Sequence, residues 1–371
     1  MAGEEPRVSD VAAFAASYAE ARQKFVQAAN AAGLLVESRL HPLKGRQGED
    51  LAMDVARDGH PNADKLLVLS SACHGVEGFC GSGVQVAALR DAAWLEHVKG
   101  KGVAVLYLHG LNPYGFSHLR RSTHENIDLN RNFRDFSQPL PANDAYRQVE
   151  PMLVPTEWPP DDKNKAEIGR HVATHGVAAF QAAVTAGQHE FADGLFFGGT
   201  EPSWSNKTIR EVLRIHGRRA GRIAWIDIHT GLGPSGVGER IYSAPEDAAT
   251  LQRARQWWSG GGKTPVTSIY DGSSVSALLT GMMFNAACDE CPQAEYTGLA
   301  IEFGTVPVME TLQALRGEQW LDRHPEAPPG LAQQVRQQVK DAFYVDTEEW
   351  KAQVLAQSRE ALFQAADGLA A

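Results

Sequence analysis

The chain of 371 residues has only four cysteines, Cys73, Cys80, Cys288 and Cys291. So few cannot staple a chain of this length, and their scarcity fits a reducing compartment. Cys288-Asp-Glu-Cys291 has the spacing of a redox or metal pair, but no second pair stands near it, so a structural role is expected. Basic tracts are missing too. With a formal net charge of −10, general binding to nucleic acid or to an anionic membrane is not expected. No apolar run approaches the roughly 20 residues that cross a bilayer. The first residues, Met-Ala-Gly-Glu-Glu-Pro-Arg, lack the basic and apolar blocks of a secretory signal, so a cytoplasmic location is expected. There is no internal repeat. What is present is ordinary apolar content and moderate charge, the composition of a folded globular chain with a large core.

Phe14, Tyr18, Ala21, Phe25 and Ala28 recur at helical spacing, so residues 9 to 32 read as an amphipathic helix that stops at Gly33. Leu34 to Leu40 and Leu51 to Val55 read as strands. Lys65 to Ser70 is a buried central strand, followed by a tight turn and a helix from Val84 to about Val98. Val103 to Leu108 is the next strand, closed by the turn Asn112-Pro-Tyr-Gly115. Residues 138 to 162, rich in proline and polar groups, read as a surface insertion that could serve as a lid. Lys165 to His189 and Asn206 to Arg219 read as helices, Ile223 to His229 and Glu239 to Ser243 as strands, and Ala248 to Ser259 as a helix. Gly298 to Phe303 is a late strand, and residues 330–371 carry terminal helices. Strands alternating with helices predict an α/β fold with helices on both faces of a sheet. The whole chain, 1–371, is expected to be one catalytic domain, with residues 1–40 as a helical segment packed on it.

The chemistry starts at His74 and Glu77, an imidazole and a carboxylate three residues apart in the turn after the central strand. They are close enough to grip one metal ion, although a histidine and a glutamate near a turn are common without one. His229 ends the strand Trp225-Ile-Asp-Ile-His229, just before Gly231 and Gly233. Strand ends that open into glycine-rich loops are where α/β folds build sites, so His229 is the candidate third ligand; otherwise it is an exposed strand-end histidine. Asp227 lies on the same strand face and could orient that imidazole. Asp128-Leu-Asn-Arg-Asn132 packs an acid, two amides and an arginine together. Arg131 offers a fork of donors for a carboxylate or a developing oxyanion, Asn130 could donate beside it, and Arg120 and Arg121 add positive charge upstream. A surface ion-pair loop is the competing reading of that stretch. Glu302 stands in an apolar strand, where a carboxylate is costly unless it is paired or functional. Beside a metal-bound water it would serve as general base. Glu201 and Trp204 could line a pocket.

In this order, His74-x-x-Glu77, Asn112-Pro-x-Gly115, Asp128-x-Asn-Arg-Asn132, the strand-end His229 and the late-strand Glu302 resemble the zinc carboxypeptidase superfamily. That superfamily includes the succinylglutamate desuccinylase–aspartoacylase branch. The resemblance runs from about residue 65 to 305 and is nearest to a bacterial subgroup of metallopeptidase-like proteins. It implies a three-layer α/β/α fold with a central mixed, mostly parallel twisted sheet. It further implies one zinc ion per chain, held by His74, Glu77 and His229, with Asp128 accepting a hydrogen bond from the ring of His74. Asn130 and Arg131 would bind a substrate carboxylate, and Arg121, or failing that Arg120, would polarise the scissile carbonyl. Glu302 would be the base. Tyr270 would cap the substrate from a loop similar to the mobile tyrosine loop of the carboxypeptidases.

The function so implied is zinc-dependent hydrolysis of an amide next to a free carboxylate, on a small peptide. An N-acyl amino acid deacylase using the same site is the alternative. A metal- or partner-binding protein without catalysis is the third reading, opposed by the retention of ligands, clamp and base together.

Overall fold

The computed structural model describes residues 10–259 and 264–371. The acidic start of the chain lies outside them. Eight strands make one mixed sheet: β1 (Val36–Lys44), β2 (Asp50–Asp58), β3 (Lys65–Ser71), β4 (Val103–His109), β5 (Arg222–Ser235), β6 (Gly238–Tyr242), β7 (Val266–Thr267) and β8 (Glu295–Gly304). Their order is β1-β2-β4-β3-β5-β8-β6-β7. The middle, β4-β3-β5-β8, is parallel throughout, and antiparallel pairing is confined to β1-β2, β2-β4 and β6-β8. β3 is central, as its unbroken apolar run predicts: Leu67 and Leu69 enter the core on one face, Leu66 and Val68 the core on the other.

Thirteen helices accompany the strands among the described residues. They are α1 (Tyr18–Ala31), α2 (Gly78–Arg90), α3 (Ala92–Lys101), α4 (Pro113–His118), α5 (Asp144–Leu153), α6 (Asp162–His175), α7 (Val177–Thr185), α8 (Trp204–His216), α9 (Ala248–Trp258), α10 (Asn285–Glu290), α11 (Val308–Arg323), α12 (Pro329–Phe343) and α13 (Glu348–Ala370). Phe25 of α1, Val84 of α2, Trp94 of α3 and Leu362 of α13 pack on one face of the sheet. Ile209 and Leu213 of α8, with Ala286 of α10, pack on the other. The result is the three-layer α/β/α arrangement. None of the described helices is long and apolar enough to cross a membrane.

Several expected elements are reshaped by local chemistry. The helix expected over Val84 to Val98 is two helices, broken where Asp91 turns out to cap α3 by accepting from the amides of Ala93 and Trp94. Asn112-Pro113 does not make a simple turn: Asn112 caps α4, and Pro113 occupies its first turn. The single helix over Lys165 to His189 breaks at Gly176, whose φ of +87° suits glycine alone. Residues 138–162 contain α5, with Tyr146, Val149 and Leu153 buried against the body. The expected helical segment over 1–40 ends at Ala31, and residues 36–40 already belong to the edge strand β1.

The loop after β3 rests on α4 without a gap: a Cβ on Gly75 would collide with the backbone of Gly115 and Phe116. Gly75→Ala should therefore force two backbone segments apart and cost about 1–3 kcal/mol, read as a lower urea midpoint. An unchanged midpoint would mean that the segments separate freely. A second expectation concerns pH. His109 is fully buried, its Nε2 2.9 Å from Ser82 Oγ and its ring stacked 4.5 Å from that of Phe25. Burial pushes its pKa from 6.5 down to about 4. The unfolded chain then binds the proton more readily, so this neutral ring contributes stability fully above pH 6.5 and loses it as pH falls through about 4. His109→Gln should flatten the fall of stability across that window in denaturation series at fixed pH; a slope equal to wild type would assign the fall to other groups.

Candidate metal centre and its cavity

Parallel strands present their carboxyl ends on one side, and the site forms there. After β3 the chain turns through Ala72, whose φ is +62°, and His74 leads into a single 3-10 turn at Gly75–Glu77. The amides of Gly75 and Val76 donate to the carbonyls of Arg121 and Arg120, at 3.0 and 2.8 Å. The neighbouring strand β5 delivers Asp227 and His229. One strand further, Glu302 of β8 pairs in register with His229.

His74, Glu77 and His229 converge, all buried, with one donor atom from each lying within 4.8 Å of the others. His74 Nδ1 is 2.9 Å from Glu77 Oε1, and His229 Nδ1 is 3.2 Å from Glu77 Oε2 and 3.3 Å from His74 Nδ1. The far nitrogen of each ring faces a carboxylate. His74 Nε2 lies 3.3 Å from Asp128 Oδ1, and His229 Nε2 lies 2.5 Å from Asp227 Oδ2. Two imidazoles and a carboxylate, with the His229 ring oriented from behind by Asp227, are the donor set of a catalytic zinc site with an open position. The residues therefore fit the metal. Cys73, Asp227 and His229 form an overlapping group. Burial and the charge of Asp227 push the Cys73 thiol well up, which opposes the thiolate that a metal requires.

Burial works against the charged forms of Glu77, Asp128 and His229, and neighbours outweigh it. Glu77 is held far below the usual carboxylate range by His74 and His229, and Asp128 likewise by Arg121. The His229 imidazolium, also opposed by burial, is favoured by Asp227 and Glu77. Glu302 goes the other way. Burial and the negative charge of Glu77 push it up to about 8, and the amide of Leu232 donates to it at 3.0 Å.

The two adjacent arginines part company. Arg121 turns into the cluster, donating to Asp128 at 3.1 Å and Glu77 at 3.2 Å, with Nη2 2.8 Å from His74 Nε2. Arg120 turns away and is spent on Glu318, Asp322 and Asn126, so its expected place at the substrate is corrected. Asn130 and Arg131 both face the cavity. Asn130 Oδ1 accepts from the Met283 amide, which leaves Nδ2 as its donor, and Arg131 is braced by the carbonyl of Thr185. Tyr270, expected to cap the substrate, lies outside the cavity lining. Its hydroxyl donates to the Ala244 carbonyl at 3.0 Å and its ring packs against Tyr242, while Ile269 beside it reaches the cavity. Trp204 lies edge-on to His41, and neither it nor Glu201 lines the cavity.

The cavity over the cluster holds about 140 Å³ of water-accessible volume and is mainly apolar. Sequence reasoning missed most of its walls. They come from α7, α11 and residues 276–284, and none from residues 138–162. Phe196 was missed as well. With φ +54°, it sits 5.0 Å from the guanidinium of Arg121 and 5.9 Å from that of Arg131, a ring between two cations. Glu318 was not foreseen either; it accepts from the Arg121 amide at 2.9 Å and so holds that residue's backbone in place.

A family model described as "Protein of unknown function (DUF2817)" matches residues 14–357. No curated protein matches the chain. Among solved structures, the chain is similar to carboxypeptidase A from Helicoverpa armigera. That likeness has 15% identity and a TM-score of 0.52, over 95% of this chain and 73% of that one. It is also similar to a metallo-carboxypeptidase from Burkholderia cenocepacia, with 12% identity and a TM-score of 0.47, over 93% of this chain and 68% of that one. The first of these likenesses gives the fold, which is the zinc carboxypeptidase-like fold.

If Asp227 orients His229 toward a metal, Asp227→Asn should lower zinc affinity about 10–100-fold in competition with a chromophoric chelator. Wild-type affinity in that variant would show that the ring holds its orientation without the acid.

Proposed function

The chain belongs to the DUF2817 family, whose model spans residues 14–357, and from that premise we propose that it is a metal-dependent hydrolase of carboxypeptidase type. It would cleave an amide bond next to a free carboxylate. One observation carries the reading: Glu302 lies across from His229 in paired strands, in the same cavity as the convergent His74, Glu77 and His229. A structural ion-pair network needs neither three convergent donors nor an acid held uncharged beside them.

His74, Glu77 and His229 would hold one zinc ion, which supplies an acidified water and a Lewis acid at the scissile carbonyl. Glu302 would accept a proton from the attacking water at its carboxylate and hand it to the leaving amine. A carboxyl poised near neutrality can do both. Arg121, pulled toward the cluster by Asp128 and Glu77, donates to the oxygen on which negative charge develops. Asn130 and Arg131 hold the substrate carboxylate, which fixes the amide over the base. The entire chain serves this one site as a single catalytic unit, since α1, α12 and α13 pack on the same core as the strands that carry it. Deacylation of an N-acyl amino acid would use the same groups, and the apolar cavity favours giving it equal weight in the test.

Mass-spectrometric product analysis of peptides and N-acyl amino acids, with and without a chelator, tests the reading. Chelator-sensitive release of single carboxyl-terminal residues or of acyl groups is expected. Turnover that ignores the chelator would sink it. Glu302→Gln should retain zinc and lose about 10²–10⁴-fold in kcat, because only the proton carrier is removed. Wild-type-like turnover in that variant would reject Glu302 as the base.

A further inference from the structure

Two helix faces line the cavity without any part in the chemistry above. Val177, Phe180 and Val184 recur along α7 at spacings of three and four, and Val308, Leu312 and Leu315 do so along α11. Each trio therefore lies on one face of its helix. Both faces border the same cavity as His229 and Glu302. The wall runs from solvent to interior: Val177 and Met309 are 48% and 43% exposed, whereas Phe180, Val184 and Leu315 are 1%, 1% and 4% exposed.

This wall has little to offer a polar chain. No charged side chain of α7 or α11 lines it. The donors of its polar side chains are turned to the protein's own carbonyls. Thr185 Oγ1 donates to the Gln181 carbonyl at 2.9 Å, Thr311 Oγ1 to the Gly231 carbonyl at 3.3 Å, and Gln181 Nε2 to the Val275 carbonyl at 3.5 Å. A peptide laid along the wall would bring an amide N–H and a carbonyl per residue and find few partners, which is costly. An alkyl chain carries no such groups. The carboxylate clamp adjoins the same wall, because Arg131 Nε donates to the carbonyl of Thr185, the last residue of α7, at 3.1 Å. A ligand that joins a carboxylate to an alkyl chain can satisfy both.

We propose that the α7–α11 wall binds a straight apolar acyl chain, so that the substrate is an amino acid N-acylated by a medium or long fatty chain. The binding claim rests on the wall and the clamp; the cleavage claim rests also on the hydrolase reading above. Hydrolysis would break the amide C–N bond and place the water oxygen on the acyl carbon. The amine takes the proton, which leaves a fatty carboxylate and a free amino acid.

The test is calorimetric titration of the zinc-loaded protein with N-acetylglycine, N-octanoylglycine, N-dodecanoylglycine and N-acetylphenylalanine, with hydrolysis of the same four followed in parallel. Affinity should rise about fourfold for each methylene buried, and level off once the chain passes the rim. Val177→Glu and Met309→Glu place a charge at that rim. Both fall in the first turn of a helix, where an acidic residue is favoured, so folding should survive. Each should weaken N-octanoylglycine about tenfold and leave N-acetylglycine unchanged. Affinity independent of chain length, or a gain for N-acetylphenylalanine without one for the longer acyl chains, would overturn the proposal. Chain-dependent binding without cleavage of any of the four would uphold the acyl wall and reject the hydrolase. Cleavage without chain dependence would do the reverse.

Discussion

A charged side chain taken out of water has to find a partner of opposite sign or give up its charge. At the carboxyl ends of β3 and β5, Glu77, Asp128, Asp227, Arg121 and two imidazoles meet that demand with one another. The arrangement is closed: Asp128 serves both His74 and Arg121, and Glu77 serves both imidazoles and Arg121. Glu302 goes the other way, because burial and the charge of Glu77 outweigh the pull of His229 and Arg121. The contrast between Glu77 and Asp128, held low by cationic neighbours, and Glu302, pushed up by burial, follows from position.

The second layer of support is backbone. Arg120 and Arg121 present their carbonyls to the amides of the turn that carries His74 and Glu77, while Glu318 of α11 takes the Arg120 side chain and the Arg121 amide. A helix that lines the cavity is thereby tied to the loop that carries His74 and Glu77. Phe196, kept in a left-handed conformation, shields the two arginines from water on one side. Less water around them raises the worth of each of their hydrogen bonds.

Much of this was legible in the residues. The apolar run of β3, the strand-end His229 and the isolated Glu302 announce a parallel sheet with a polar site at its carboxyl ends. Their order along the chain carries the resemblance to the zinc carboxypeptidases. Other features could not be read. Arg120 and Arg121 are neighbours of the same type, and what separates them is Glu318, 198 residues away from Arg120. Helix α11 escaped notice because its apolar face meets a cavity and buried Arg316, Glu318 and Gln319 interrupt its pattern. Tyr270 was placed by likeness to a loop, yet a backbone carbonyl close by claims its hydroxyl. Asp91 and Gly176 break helices that periodicity alone runs together, since a cap and a left-handed glycine act on single residues while periodicity averages over many.

The pairing of His229 with Glu302 has a consequence for how such a protein can change over generations. The separation of the two is the spacing between adjacent strands, about 4.8 Å, and neither side chain can alter it without a slip of the entire sheet. The walls around them obey no such rule: α7 hangs between Gly176 and the turn that follows Thr185, and residues 276–284 form a connection outside the sheet. Lineages can therefore exchange one set of walls for another and inherit the His229–Glu302 pairing intact. Diversity of diet is cheap in this architecture, and diversity of reaction is not.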